Sequence, residues 1–242
     1  MKLWGISDLH LSFSVDKPME IFGDLWEKHH EKLRNNWLDS VLEDDLVLMP
    51  GDLSWGMKYD QALDDLEWIG ELPGRKFVCK GNHDYWWGSL AKARSNLPAG
   101  MEPMQNSAVD AGPVLIASSR GWSVPQWEGF DSSTDEKIYQ RELKRMELAL
   151  EAVQDLKKED KPLVYMMHYP PVIDGESTSF SDLLSAAGVS VCAYGHLHCP
   201  GRWGDDLDID LNGVAFSLVS ADYLEFKPRL LMEFGEREAD RR

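Results

Sequence analysis

A chain of 242 residues, 43% of them hydrophobic, is long enough for one sizeable core and reads as a single domain over residues 1–242. Its formal net charge of −17, from 42 acidic against 25 basic residues, opposes a long nucleic-acid track but not a small phosphorylated ligand drawn by a local positive centre. The three cysteines, Cys79, Cys192 and Cys199, form no CxxC pair, so a reducing compartment is expected rather than a disulfide framework.

The chain opens on an apolar run at 3–7, too short for a secretory h-region, and no apolar stretch reaches transmembrane length. A cytoplasmic protein without a membrane partner is expected. Phe22, Leu25, Trp26, His29, Leu33 and Trp37 recur at helical spacing and predict a helix over 20–39. His29 and His30, set among Glu and Lys, read as its solvated face. A strand follows at 46–50, then a helix marked by Leu63, Leu66, Ile69 and Leu72 and closed by Pro73-Gly74. Next come a strand at 76–80, a helix at about 86–97 and a strand at 113–118. The loop 119–133, with Trp122, Trp127 and Phe130, is either a lid or a loop packed on the sheet. A helix over 134–160 carries Tyr139, Leu143, Met146, Leu150 and Val153 on one stripe, which suits packing on a sheet. Strands at 163–167, 189–194, 214–220 and 229–234 close the chain, with a hairpin at Asn212-Gly213. Asp208 to Gly213 imitates the start of a calcium loop, but its twelfth position is Val219, and Leu207, Ile209 and Leu211 alternate as a strand. The βαβαβα start and strand-rich end predict an α/β protein with helices on sheet faces.

Five patches carry metal-ligand residues, each after an apolar run: Asp8-Leu9-His10, Gly51-Asp52, Gly81-Asn82-His83-Asp84, His168-Tyr169-Pro170-Pro171 and Gly195-His196-Leu197-His198. Five of the seven histidines fall in them. Residues two apart at a strand end point to one face, so Asp8 with His10, or His196 with His198, can address one ion. Carboxylate with imidazole suits Mn, Fe or Zn. Asp52 can bridge two ions through its two oxygens. Asn82 offers a neutral carbonyl, and His83 is placed to donate a proton rather than bind metal. Any single histidine is better read as a hydrogen-bonded turn residue; the ordered set of five is not.

In that order the motifs D-x-H, GD, GNH[DE], H-x-P-P and GHxH resemble the calcineurin-like metallophosphoesterases, over roughly residues 1–220. The resemblance implies a four-layer αββα sandwich of two mixed β-sheets, with the metal site at the C-terminal ends of the strands. It implies one ion held by Asp8, His10, Asp52 and His198, and a second held by Asp52, Asn82, His168 and His196. It implies hydrolysis of a small phosphomonoester or phosphodiester by a hydroxide between the ions, with His83 as general acid.

One departure stands out. Many members continue the second motif as GDxxDR, whereas this chain reads Gly51-Asp52-Leu53-Ser54-Trp55-Gly56. The carboxylate that would orient the catalytic histidine is missing at Trp55, and Asp84 or a backbone carbonyl is expected to take its place. The missing Asp-Arg pair also turns the expectation away from protein phosphatases. Arg120 is a candidate for gripping a substrate phosphate. Tyr85-Trp86-Trp87 either stacks on a nucleobase or aromatic leaving group or pins the following helix; burial favours the second. A nuclease is disfavoured by the acidic balance, and a non-catalytic scaffold by the full set of ligands.

Overall fold

The computed structural model describes residues 1–156, 160–198 and 207–235. In chain order the elements are β1 (Lys2–Gly5), α1 (His29–Ser40), β2 (Leu46–Met49), α2 (Tyr59–Gly70), β3 (Arg75–Cys79) and α3 (Leu90–Asn96). They continue with β4 (Met101–Met104), β5 (Ser107–Asp110), β6 (Leu115–Ser118), α4 (Glu136–Leu156), β7 (Leu163–Met167), β8 (Val172–Ile173) and β9 (Glu176–Ser177). The last are α5 (Ser179–Ala186), β10 (Val191–Tyr194), β11 (Asp208–Leu211), β12 (Val214–Leu218) and β13 (Arg229–Glu233).

Two sheets carry the fold. One runs β13-β1-β2-β3-β4, parallel except for β13, which lies antiparallel on β1. The other runs β11-β12-β10-β7-β6-β5, parallel in its four central strands and antiparallel at both edges. The short pair β8-β9 stands apart. The central strands are apolar along their whole length because both faces are covered. Their residues alternate between two destinations. Leu46 and Leu48 of β2 meet Val164, Met166, Val191 and Ala193 between the sheets. Val47 and Met49 turn outward to Leu33, Trp37, Leu66 and Ile69 of α1 and α2. Tyr165, Met167, Cys192 and Tyr194 turn the other way, to Tyr139, Met146 and Phe180 of α4 and α5. Helix, sheet, sheet and helix therefore form the four-layer αββα sandwich with two mixed sheets. Among the described residues no helix is long and apolar enough to cross a membrane.

Several elements differ from their predicted forms. The helix expected over 20–39 is three pieces: 3₁₀ turns at Met19–Phe22 and Asp24–Trp26, then α1. Gly23 (φ 124°) and Lys28 (φ 48°, left-handed) break it, since neither angle continues a helix. Phe22 is left exposed, while Trp26 turns in. The helix expected from 86 begins at Leu90, after Gly88 (φ 64°), with Ser89 accepting from the Lys92 amide. Trp86 and Trp87 are buried in the 3₁₀ turn before it, and Tyr85 is exposed. Trp122, Trp127 and Phe130 pack onto the α4–α5 side of the second sheet, so the loop 119–133 is a packed one. Asn212 and Gly213 both take positive φ, as a tight hairpin requires, and Asp208 is engaged by Arg229, the Tyr223 hydroxyl and the Leu218 amide rather than by a calcium loop. Cys79 and Cys192 are buried free thiols, and Cys199 lies outside the described residues.

His29 is not on a solvated face. It is 6% exposed, packed edge-on against Trp26 and tilted against Phe226, with Nδ1 3.2 Å from the Trp26 carbonyl oxygen. Burial, then the neighbouring His30, lowers its pKa to about 4. The unfolded chain then takes up a proton near pH 6.5 that the folded chain refuses. This contribution to stability is full above pH 6.5 and is lost as pH falls towards 4, by about 3 kcal/mol. His29→Phe is expected to flatten that part of the stability curve in urea titrations at a series of pH values. An unaltered slope would count against it.

Candidate metal centre

Every candidate ligand lies just past the C-terminal end of a parallel strand: Asp8 and His10 after β1, Asp52 after β2, Asn82 after β3, His168 after β7, His196 and His198 after β10. Main-chain bonds tie these ends together across both sheets. The Asp8 amide donates to Gly51, His10 to Asp52, Ser7 to Val219, His168 to Arg120 and Gly195 to His168. Asp8, His10, Asp52 and His196 all hold positive φ, at 55°, 48°, 54° and 74°. Non-glycine residues are sterically strained there, and such strain gathers at functional sites. Gly81 and Gly195 allow the close approach. A Cβ on Gly81 would strike the Asp52 carboxylate and lie 2.5 Å from its amide nitrogen; one on Gly195 would strike the Asp8 carboxylate.

The donor atoms converge in two adjoining groups. In the first, His10 Nε2 and His198 Nε2 are 3.1 Å apart, His198 Nε2 is 3.6 Å from Asp8 Oδ1, and His10 Nε2 is 4.0 Å from Asp52 Oδ2. In the second, Asp52 Oδ2 is 3.5 Å from His168 Nε2, which is 2.6 Å from Asn82 Oδ1. His196 Nδ1 lies 2.9 Å from Asn82 Oδ1 and 3.2 Å from His168 Nε2. Ligands about 2.0–2.2 Å from a shared ion stand roughly 3.0–3.5 Å from each other, and the separations here, from 2.6 to 4.0 Å, bracket that spacing. Asp52 faces both groups through one oxygen, Oδ2. Its other oxygen, Oδ1, accepts from the His83 amide at 2.8 Å.

Electrostatics point the same way. Asp8 and Asp52 are 0% and 1% exposed, and among the described residues neither pairs with a lysine or arginine. Burial keeps three of the surrounding histidines neutral: His168 falls to about 3 and His196 to about 4, and His10 is held well below its usual value; His198, 3.6 Å from Asp8, is shifted the other way. Burial, then the charges of Asp84 and Asp8, raises the pKa of Asp52. Two buried carboxylates among mostly neutral imidazoles are short of positive charge, which a bound metal ion would supply. The groups Asp8, His10, His198 and Asp8, Asp52, His168 are each close enough to hold one.

His198 is an exception among the histidines. Burial lowers its pKa, but its hydrogen bond to Asp222 and the charges of Asp8 and Asp222 outweigh this and leave it raised. Its Nδ1 is 3.1 Å from Asp222 Oδ1, which fixes the ring with Nε2 towards the other donors. Asp222 was missed in the sequence, as were Ser7 and Ser220, whose hydroxyls donate to Asp8 Oδ2 at 2.5 and 3.1 Å. The signal for Asp222 was its place just past a strand, β12, like the ligands themselves.

Two site residues are placed differently from expectation. Asp84 does not orient His83. It is fully buried, and its carboxylate accepts from the amides of Asp52 (2.8 Å), Leu53 (3.0 Å) and Gly81 (2.8 Å) and from Trp86 Nε1 (3.0 Å). It clamps the two loops that carry Asp52 and Asn82. Asp84→Ala strands those buried donors and is expected to cost about 3–5 kcal/mol in urea unfolding. A loss below about 1 kcal/mol would refute the clamp. Arg120 turns its guanidinium to the buried Glu142 at 3.7 Å and lies 4.8 Å over the Trp122 ring, rather than reaching out for a phosphate. It serves the site through its carbonyl, which accepts from the His168 and Tyr169 amides.

Trp55 fills the position of the missing carboxylate. Its ring stacks on His10 at 4.7 Å and meets His83 at 4.5 Å, with a 56° tilt. Its indole N–H donates to Met19 Sδ at 3.2 Å. Among the described residues none hydrogen-bonds the His83 ring, so an aromatic wall stands where a hydrogen bond was expected.

The comparisons agree with this geometry. The Gene 66 proteins of Mycobacterium phages L5 and D29 are each 37% identical to this chain, over 81 and 83 residues. Those matches cover 34% of this chain and 39–40% of the phage proteins, so the chain spans about two fifths of their length. A protein of unknown function from Aquifex aeolicus superposes with a TM-score of 0.53 at 14% identity, covering 95% of each chain. The protein TT1561 of Thermus thermophilus does so with a TM-score of 0.54 at 14% identity, covering 94% of this chain and 96% of the other. These two share the fold. The sequence profile of the calcineurin-like phosphoesterases matches residues 1–200, a stretch that contains every converging donor. With the αββα fold and the strand-end cluster already in place, that match assigns this chain to the calcineurin-like phosphoesterase family.

Proposed function

We propose that this protein hydrolyses small phosphate monoesters or diesters with the help of two divalent metal ions, Mn, Fe or Zn. The observation that carries the reading is the convergence of seven donor side chains from both sheets around two buried carboxylates that have no lysine or arginine partner among the described residues. Asp8, His10, Asp52 and His198 would hold one ion, and Asp52, Asn82, His168 and His196 the other. When bound, such a pair supplies a water deprotonated near neutral pH and offsets charge on the phosphoryl oxygens.

The remaining work falls to the chain. The clamp of Asp84 and the tie from Asp222 to His198 hold the donors in place. The His83 amide bonds to Asp52 Oδ1, which sets the imidazole beside the donor cluster without making it a member. Burial, then the charges of His198 and Lys17, lowers the pKa of His83. A weakly held proton transfers readily but is present on fewer of the rings at neutral pH, so what supports His83 as the acid is its position beside the donors. Packed aromatics exclude water from one side: Trp55 and Trp26 against His10, and Tyr169 against His196 at 4.4 Å.

A substrate panel with added Mn²⁺ tests the reading. Generic monoesters, diesters, nucleotides and cyclic nucleotides are compared with phosphoserine peptides. Hydrolysis of small esters ahead of phosphopeptides is expected, given Trp55 and the missing Asp-Arg pair. Efficient phosphopeptide turnover with no small-ester turnover would contradict it.

A further inference from the structure

We propose that Trp55, Tyr85 and Lys17 form a subsite that selects a planar aromatic leaving group bearing a negative charge. The inference rests on the proposed function, because the proton donor His83 marks the side from which the leaving oxygen departs. Water splits the ester O–P bond: its oxygen joins phosphorus, and the aromatic alcohol leaves with a proton.

Three side chains stand around His83. The Trp55 ring centre is 4.5 Å from that of His83, and the Tyr85 ring is T-shaped to it at 6.5 Å. Trp86 and Trp87 are buried and account for the pinning of the local turn, whereas Tyr85 is 55% exposed and has no such task. An exposed tyrosine beside a proton donor offers a ring face to a flat ligand. Trp55 is fixed by His10 and Met19, so it presents a rigid wall. Lys17 Nζ lies 5.6 Å over the Trp55 ring, at the end of a turn closed by the Ser12 hydroxyl donating to the Lys17 carbonyl at 3.0 Å. Among the described residues no carboxylate pairs with Lys17. In a chain of net charge −17, a lysine held over an aromatic wall beside the proton donor, with no carboxylate partner among the described residues, is a specific feature. The pair reads as a cradle for a ring with an acidic substituent.

The test uses the full chain loaded with Mn²⁺ and three esters: phenyl phosphate, 4-carboxyphenyl phosphate and 4-(trimethylammonio)phenyl phosphate. Comparing one ester across variants cancels its intrinsic reactivity. Lys17→Glu is expected to lower the kcat/KM ratio of the carboxylated to the cationic ester by at least about tenfold, because the reversal alters four unit-charge interactions at roughly 5 Å, each weakened by salt. Tyr85→Ala, at an exposed position that does not threaten folding, is expected to raise KM for phenyl phosphate about tenfold more than KM for methyl phosphate. An unchanged ester ratio in Lys17→Glu, or an unchanged KM comparison in Tyr85→Ala, overturns the subsite while leaving the proposed function standing. No hydrolysis of any ester by the metal-loaded wild type overturns both.

Discussion

His83→Ala is expected to retain its metal ions and lose about 10²–10⁴-fold in kcat/KM on alkyl phosphates, the usual worth of a general acid. The loss on nitrophenyl phosphates should be far smaller, because that leaving group departs without a proton. The structure bears on each part. The His83 ring is beside the donor cluster, 5.6 Å from the His10 ring, yet its link to the site is its own amide on Asp52 Oδ1. Alanine keeps that amide, so the metal ligands should stay in place. Among the described residues the ring makes no hydrogen bond, so its removal strands no buried partner. Kinetics on both ester types, with metal content measured in the same samples, decide the matter. Equal losses on both esters would make His83 a phosphoryl-positioning group. Loss of metal would make it a ligand or structural support.

Asp52→Asn is expected to empty both metal positions and abolish hydrolysis, a larger effect than losing His10 or His168, which each address one group. Asp52 Oδ2 lies 4.0 Å from His10 Nε2 and 3.5 Å from His168 Nε2, so one atom faces both clusters. Asparagine preserves shape but removes the charge, which is the component that offsets two cations. The substitution should not unfold the metal-free protein. Burial and the charges of Asp84 and Asp8 already raise the pKa of Asp52, so a neutral group there relieves repulsion in the absence of metal. Thermal stability without metal should therefore hold or rise, while the stabilisation gained on adding Mn²⁺ should vanish. Full activity with two ions bound would refute the bridging role.

Much of this site was legible because its ligands sit at the ends of fully buried strands. The apolar runs of β2, β7 and β10 mark those ends, and the period-two pairs Asp8/His10 and His196/His198 stand directly after them. The strands that escaped notice were edges. β4 contains Pro103, which only an edge strand tolerates, and β5 is half polar, so neither shows a clear pattern. Residues acting through another residue were the hardest to read. Asp84 adjoins His83 in sequence, yet its side chain faces the opposite loop, where backbone amides need an acceptor. Asp222 follows an apolar strand as the ligands do, but Ala221-Asp222-Tyr223 matches no ligand motif, and the fold is what brings it to His198. Trp55 showed in the sequence only as a missing carboxylate; the ring stacking that replaces it depends on three-dimensional contact.

The central claim is that seven side chains from two sheets hold a pair of metal ions bridged by Asp52. A crystal of the Mn²⁺-loaded protein, measured at the manganese absorption edge, addresses it most directly. Two anomalous peaks about 3.5–4 Å apart are expected. One should lie against Asp8, His10 and His198, the other against Asn82, His168 and His196, with Asp52 Oδ2 between them. A single peak, or two peaks that leave Asp52 uncoordinated, would contradict the account.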